Sequence, residues 1–132
     1  MRLFVTSSFI DSREATLKLC SLVRTSGFED FSFIRDVEKF QVTFDDPKDM
    51  MIRALDELRK SDVLLIDMSK KPTGRAFEAG AAFALGKRIV VILKKGTKIE
   101  NVTIGIADVI IEYDQIDDIV EKLREYNETF DE

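Results

Sequence analysis

Apolar residues along this chain fall into short unbroken runs that alternate with stretches where they recur every three or four positions. Five runs read as strands: Arg2-Leu3-Phe4-Val5-Thr6, Phe31-Ser32-Phe33-Ile34, Val63 to Met68, Arg88 to Leu93, and Val109 to Tyr113. The helical spacing predicts a helix over residues 11–26, with Ala15, Leu17, Leu19, Cys20, Leu22 and Val23 on its apolar side. Gly27 is placed to stop it. A second helix runs from Pro47 to about Lys60, with Met51, Ile52, Leu55 and Leu58 facing inward. A third covers 74–86, and a closing one runs from Ile116 to Tyr126 through Ile119, Val120 and Leu123. Between Arg35 and Asp46 the pattern is ambiguous, because Phe40, Val42 and Phe44 alternate and fit either an edge strand or an ordered loop.

Strands that alternate with helices imply an α/β fold, here three α/β/α layers around a five-stranded parallel sheet. Right-handed crossovers and short connections favour the Rossmann/flavodoxin-like order 2-1-3-4-5. In that order the first and third strands meet at the switch point. Their C-terminal ends, Thr6-Ser7-Ser8-Phe9 and Ser69 to Gly74, are expected to border one crevice.

The segment Gly74-Arg75-Ala76-Phe77-Glu78-Ala79-Gly80 and its Ala-rich continuation to Gly86 are unusual. A helix apolar on every side is expected to be buried. A lone acid within it costs free energy unless partnered or used. With Glu78 in the first turn, the helix macrodipole would favour its ionised form, which suits a nucleophile. The alternative is a carboxylate that only complements the dipole at the surface, or one paired with Arg75 three residues earlier. Gly74 would let the backbone pass close to a ligand, and Gly80 would let the helix lie close to the sheet. Thr6, Ser7 and Ser8 offer hydroxyls and amides to a sugar or phosphate, unless they simply form a turn and cap the next helix. Lys70 and Lys71 could attract an anion or merely be solvated, and Cys20 reads as core.

Composition narrows the chemistry. The 132 residues form one domain, 1–132, with 45% hydrophobic and 34% charged residues, the balance of a globular chain. With no histidine and one cysteine, imidazole chemistry, a disulfide framework and a cysteine metal cluster are excluded. Proton transfer is left to carboxylate, Lys, Tyr, hydroxyl or water. A net charge of −5 argues against polymeric nucleic acid and anionic membranes as partners. The short N-terminal apolar run predicts no signal peptide, and no run is long enough to span a membrane, so a cytoplasmic location is expected.

From Asp62 to Val91 the chain resembles the signature segment of the nucleoside 2-deoxyribosyltransferase-like superfamily, which includes deoxynucleoside 5′-monophosphate N-glycosidases. The likeness rests on Asp62 opening an apolar strand, a loop, Gly74, Glu78 and Gly80 on an Ala-rich helix, then Gly86-Lys87 before the next strand. Leu3 to Phe9 is similar to the family's first strand and its sugar- or phosphate-contacting turn, and Ile104 to Asp108 to its C-terminal part. The resemblance implies that Glu78 attacks the anomeric carbon of a deoxyribose while the base leaves, water or a second base completing the reaction. It implies substrate contacts at Thr6, Ser7, Ser8, Phe9, Ser69, Thr73 and Gly74, no cofactor, no metal, and a homodimer or higher homo-oligomer. The chain departs from the family at Ala54 and Pro72, where acids are usual.

The leading expectation is therefore cleavage, by hydrolysis or transfer, of the N-glycosidic bond of a deoxynucleoside or its monophosphate. A catalytically silent nucleotide-binding module for sensing or scaffolding is the alternative, favoured by Ala54. A signalling receiver domain is the third reading, because Asp67 with Pro72 and Gly74 faintly mimics a phosphoacceptor loop. That reading lacks the paired acids that would hold Mg²⁺ after the first strand.

Overall fold

Strand pairing follows the switch-point arrangement. A computed structural model describes residues 1–7, 11–69 and 73–131. The strands are β1 (Arg2–Val5), β2 (Glu29–Ser32), β3 (Val63–Asp67), β4 (Arg88–Lys94) and β5 (Val109–Tyr113), all parallel in the order β2-β1-β3-β4-β5. The helices are α1 (Arg13–Thr25), α2 (Phe33–Asp36), α3 (Pro47–Arg59), α4 (Thr73–Ala84), α5 (Asn101–Ile106) and α6 (Ile119–Glu128).

Alternation along the strands sorts the core into two layers. Leu3, Val5, Val63, Leu65, Val90 and Ile92 face α1 and α6, where Cys20, Val23, Ile119 and Leu123 meet them. Phe4, Leu64, Ile66, Ile89, Val91 and Leu93 face the other way, against Leu58 of α3 and Ala79 and Ala82 of α4. Each fully buried aliphatic side chain contributes about 1.5–3 kcal/mol relative to exposure. Burial also pushes the Cys20 thiol up to about 11, so it behaves as a core residue.

Several local expectations are corrected. Helix α1 starts at Arg13, capped by the Ser12 hydroxyl, and points Thr16, Cys20 and Val23 inward. Those positions form an i, i+4, i+7 stripe, which leaves Ala15 outside and Leu17 40% exposed. In α3 the inward stripe is Met51, Ala54, Leu55 and Leu58, so Ile52 turns outward, half exposed at 50%. Buried beside Leu58 is Glu57, tied to Arg2 and Arg53.

The second strand ends at Ser32, whose hydroxyl caps α2, so Phe33 and Ile34 belong to a single helical turn. Residues 37–46 form an ordered loop and not an edge strand. Lys39 and Phe40 take positive φ values of 54° and 59°, which ends any extended run. Gly27, at φ +98°, closes α1 as expected, and a Cβ there would stand 2.6 Å from Asn127 Nδ2.

Helix α4 is buried on one side only. Ala79 and Ala82 lie against the sheet, while Phe77 and Phe83 are 57% and 58% exposed. Gly80 faces open space, so close approach to the sheet belongs to the two alanines. The helix begins at Thr73, which puts Glu78 beyond its first turn.

Candidate active site

At the C-terminal edge of β1 and β3 two cavities meet at a partition built from Ser7 and Arg75. The first, of about 180 Å³, lies between α3, α4 and the loop after α2. Its walls are mostly apolar, with Phe33, Met50, Met51, Ala54 and Phe77, and its acids are Glu38 and Glu78. The second, of about 210 Å³, lies over α1 and the end of β5, with Thr6, Asp11, Asp67 and Tyr113 in its lining.

At the partition several buried polar atoms have no partner among the described residues. Arg75 is 5% exposed and gives Nη2 to the Asp11 carboxylate, not to Glu78. Its Nε and Nη1 are sealed from solvent and have no partner among the described residues. The same holds for Thr6 Oγ1, Ser7 Oγ and Glu78 Oε2. A buried polar atom left unpaired costs about 1–3 kcal/mol, and charged groups cost more. Among the described residues five such atoms gather at one edge of the sheet.

Glu78 departs from its expected electrostatics. The dipole acts mainly within the first turn, and Glu78 lies past it. Burial dominates, pushing its carboxyl up to about 8; Arg75 opposes the rise and Glu38 adds to it. At neutral pH the free site therefore holds Glu78 largely protonated, opposite to the ionised state expected from its position in the sequence.

Glu38 escaped the sequence reading altogether. It is 6% exposed, and burial raises its carboxyl above the ordinary range. Its position comes from the loop backbone, where Glu38 N–H donates to Phe33 O, Phe40 N–H to Ile34 O, and the Thr43 hydroxyl to Glu38 O. No residue spacing announces such a turn; the only hint was the alternation that allowed an ordered loop.

The remaining expected residues divide. Thr6 and Ser7 meet at the site. Ser69 lines neither cavity: its hydroxyl accepts from Lys94 N–H at 2.6 Å and lies 3.4 Å from the Tyr113 hydroxyl. Thr73 and Gly74 open α4. Ser8, Phe9, Lys70, Lys71 and Pro72 lie outside the described residues. Asp67 accepts from the Tyr113 hydroxyl at 2.6 Å and from Ser69 N–H at 2.9 Å. Burial, with Asp67 beside it, pushes the Tyr113 phenol up to about 12. Among the described residues no group of three or more acids and cysteines is placed to hold a metal ion. No described helix is long and apolar enough to cross a membrane.

No protein-family model matches the chain, and no curated protein matches it significantly. Solved structures do. The CMP N-glycosidase BcmB of Clostridium botulinum superposes with a TM-score of 0.73 at 20% identity, over 96% of this chain and 99% of that one. The 2-deoxyribosyltransferase of Bacillus psychrosaccharolyticus gives 0.70 at 19% identity, over 93% and 96%. A conserved protein of Enterococcus faecalis V583 gives 0.74 at 13% identity, over 95% and 98%. The chain shares the fold of these proteins over nearly its whole length, in line with the resemblance drawn from Asp62 to Val91.

Proposed function

We propose that this protein cleaves the N-glycosidic bond of a deoxynucleoside or deoxynucleoside monophosphate, with the Glu78 carboxylate as nucleophile. The observation that carries the reading is Glu78 Oε2, sealed from solvent and without a partner among the described residues, in the wall of a mainly apolar cavity beside Ser7 and Arg75. Such a cavity suits a sugar joined to a flat base. Sugar hydroxyls would donate to Glu78 Oε2, favouring its ionised form, and would accept from Arg75. The carboxylate then attacks the anomeric carbon, the C–N bond electrons leave with the base, and a glycosyl ester forms. Water or a second base releases the sugar. The activities named for the two superposed enzymes support this class of reaction.

Activity is tested by incubating the protein with deoxynucleosides and their monophosphates and following free base by chromatography. Release is expected, and loss of about 10³-fold or more in Glu78→Ala and Glu78→Gln. Equal turnover by either variant would remove Glu78 from the mechanism.

A second reading, a silent nucleotide-binding module, draws on the protonated resting state of Glu78, which is not nucleophilic. Measurable nucleotide affinity without base release from any substrate selects it. The expected self-association would use the exposed Phe77 and Phe83 of α4, Phe77 also bordering the site. Replacing both by Ser should convert an oligomer to monomer in light scattering. A cytoplasmic location fits such substrates.

A further inference from the structure

We infer that Glu38 is a second catalytic carboxyl, which protonates the departing base and then takes a proton from the water that frees the sugar. The inference rests on the glycosidase reading and assigns the half of the reaction that Glu78 cannot perform.

Geometry comes first. Glu38 and Glu78 line the same cavity and approach it from different elements, the loop after α2 and the helix α4. The loop holds two consecutive non-glycine residues at positive φ, Lys39 and Phe40, a conformation that costs free energy. It is pinned by the turn hydrogen bonds at Glu38 and Phe40, by the Arg13 guanidinium 4.9 Å from the Phe40 ring centroid, and by stacking of Phe33 on Phe44. A surface loop with no task has little reason to hold a carboxyl inward in this way. The Arg75 and Glu78 atoms without partners among the described residues are a second, independent reason to place a polar ligand here.

Charge follows from geometry. From α3, Met50, Met51, Ala54 and Leu55 face Glu38 with no charge; from α4, Arg75 and Glu78 do. Lys39 is the adjoining cation in its own loop. Two carboxyls in one apolar cavity near a single guanidinium cannot both ionise readily, so at neutral pH the pair shares one proton. In the free site the proton rests on Glu78, whose carboxyl stands at about 8. Sugar hydroxyls on Oε2 together with Arg75 draw the charge onto Glu78 and leave the proton on Glu38.

The cycle balances. Glu78 bonds to the anomeric carbon, the base departs with the C–N electron pair, and Glu38 gives that base its proton. Glu38, now ionised, takes a proton from water as the water oxygen attacks the anomeric carbon and Glu78 leaves as carboxylate. Sugar and base depart, with the pair again holding one proton.

The experiment compares wild type, Glu38→Gln and Glu38→Asp on a natural deoxynucleotide and on a nitrophenyl deoxyriboside, whose leaving group needs no proton. For Glu38→Gln, base release should fall about 10²–10³-fold, while the first-turnover burst of nitrophenol, which needs no proton donor, stays within about tenfold of wild type and only the later steady release slows. The wild-type kcat/KM profile should be a bell whose alkaline limb lies near 8, where the shared proton is lost. That limb should vanish in Glu38→Gln and persist in Glu38→Asp. Carbon-13 titration of the Glu78 carboxyl should move to lower pH in Glu38→Gln, an effect readable without turnover. If Glu38→Gln keeps the alkaline limb and full release of natural base, Glu38 has no proton-transfer role although the glycosidase reading stands. If wild type releases neither base nor nitrophenol, both readings fall together.

Discussion

The two edges of the sheet are built from the same kinds of side chain and treat them differently. At the N-terminal edge, Arg2 N–H donates to Asp62 at 2.9 Å and the Arg2 guanidinium to Glu57 at 2.6 Å. Asp108 accepts from Tyr126 at 2.5 Å and lies 3.5 Å from Arg88. Arg2 Nε lacks an oxygen partner, but the guanidinium rests 3.9 Å from the Phe31 ring centroid. Charges there are spent on joining strands to helices. At the C-terminal edge Arg75, Glu78, Thr6 and Ser7 keep buried atoms with no partner among the described residues, around two cavities. One edge maximises stability and the other gives some up, the pattern expected where a ligand completes the hydrogen bonding.

The sharpest break in this comparison comes from removing an acid at each edge. Glu78→Gln should lose activity by orders of magnitude yet gain stability in urea melts near neutral pH, because folding no longer has to hold a buried acid in its protonated form. Glu57→Ala should do the reverse, costing about 1–3 kcal/mol through the lost bonds to Arg2 and Arg53 while base release continues. A Glu78→Gln variant markedly less stable than wild type would make Glu78 structural.

A pH series sharpens the same contrast. Glu78 has a folded value near 8 against an ordinary 4.5, so the folded state binds its proton more tightly. Its contribution is fully present below about 4.5 and is lost as pH rises through 8. Thermal melts of wild type should therefore decline relative to Glu78→Gln between those values. At the N-terminal edge Glu57 is held below the ordinary range by the Arg2 and Arg53 bonds against its burial, so its contribution is lost as pH falls. The two edges should titrate in opposite directions.

The smallest effect lies at the N-terminal edge, where α1 turns into β2. Gly27→Ala places a Cβ against Asn127 at positive φ and should cost about 1 kcal/mol, with activity unchanged.

Strand order, core layers and the place of Ser7 beside Glu78's cavity were legible because they follow from alternation and connection lengths. Helix faces were less so. Ile52 and Leu17 are apolar but lie off the buried stripe, and Glu57 occupies a buried position only because Arg2 and Arg53 come to it. For Glu78 the sequence suggested an ionised carboxylate near a helix start, whereas burial raises its carboxyl in the folded chain. Its position relative to the helix start and the apolar wall opposite it, both tertiary facts, decide its protonation. Glu38 was invisible since two residues at positive φ, which nothing in Lys39-Phe40 advertises, turn it inward.

The central claim is covalent attack by Glu78, and mass spectrometry tests it most directly. The protein is incubated with a 2-fluoro-substituted deoxynucleoside, which slows release of the sugar, and then digested and mapped. The account predicts one fluorosugar added to the peptide that carries Glu78, and none in Glu78→Gln. A sugar found on any other side chain, or steady turnover of this substrate with no adduct, would contradict it.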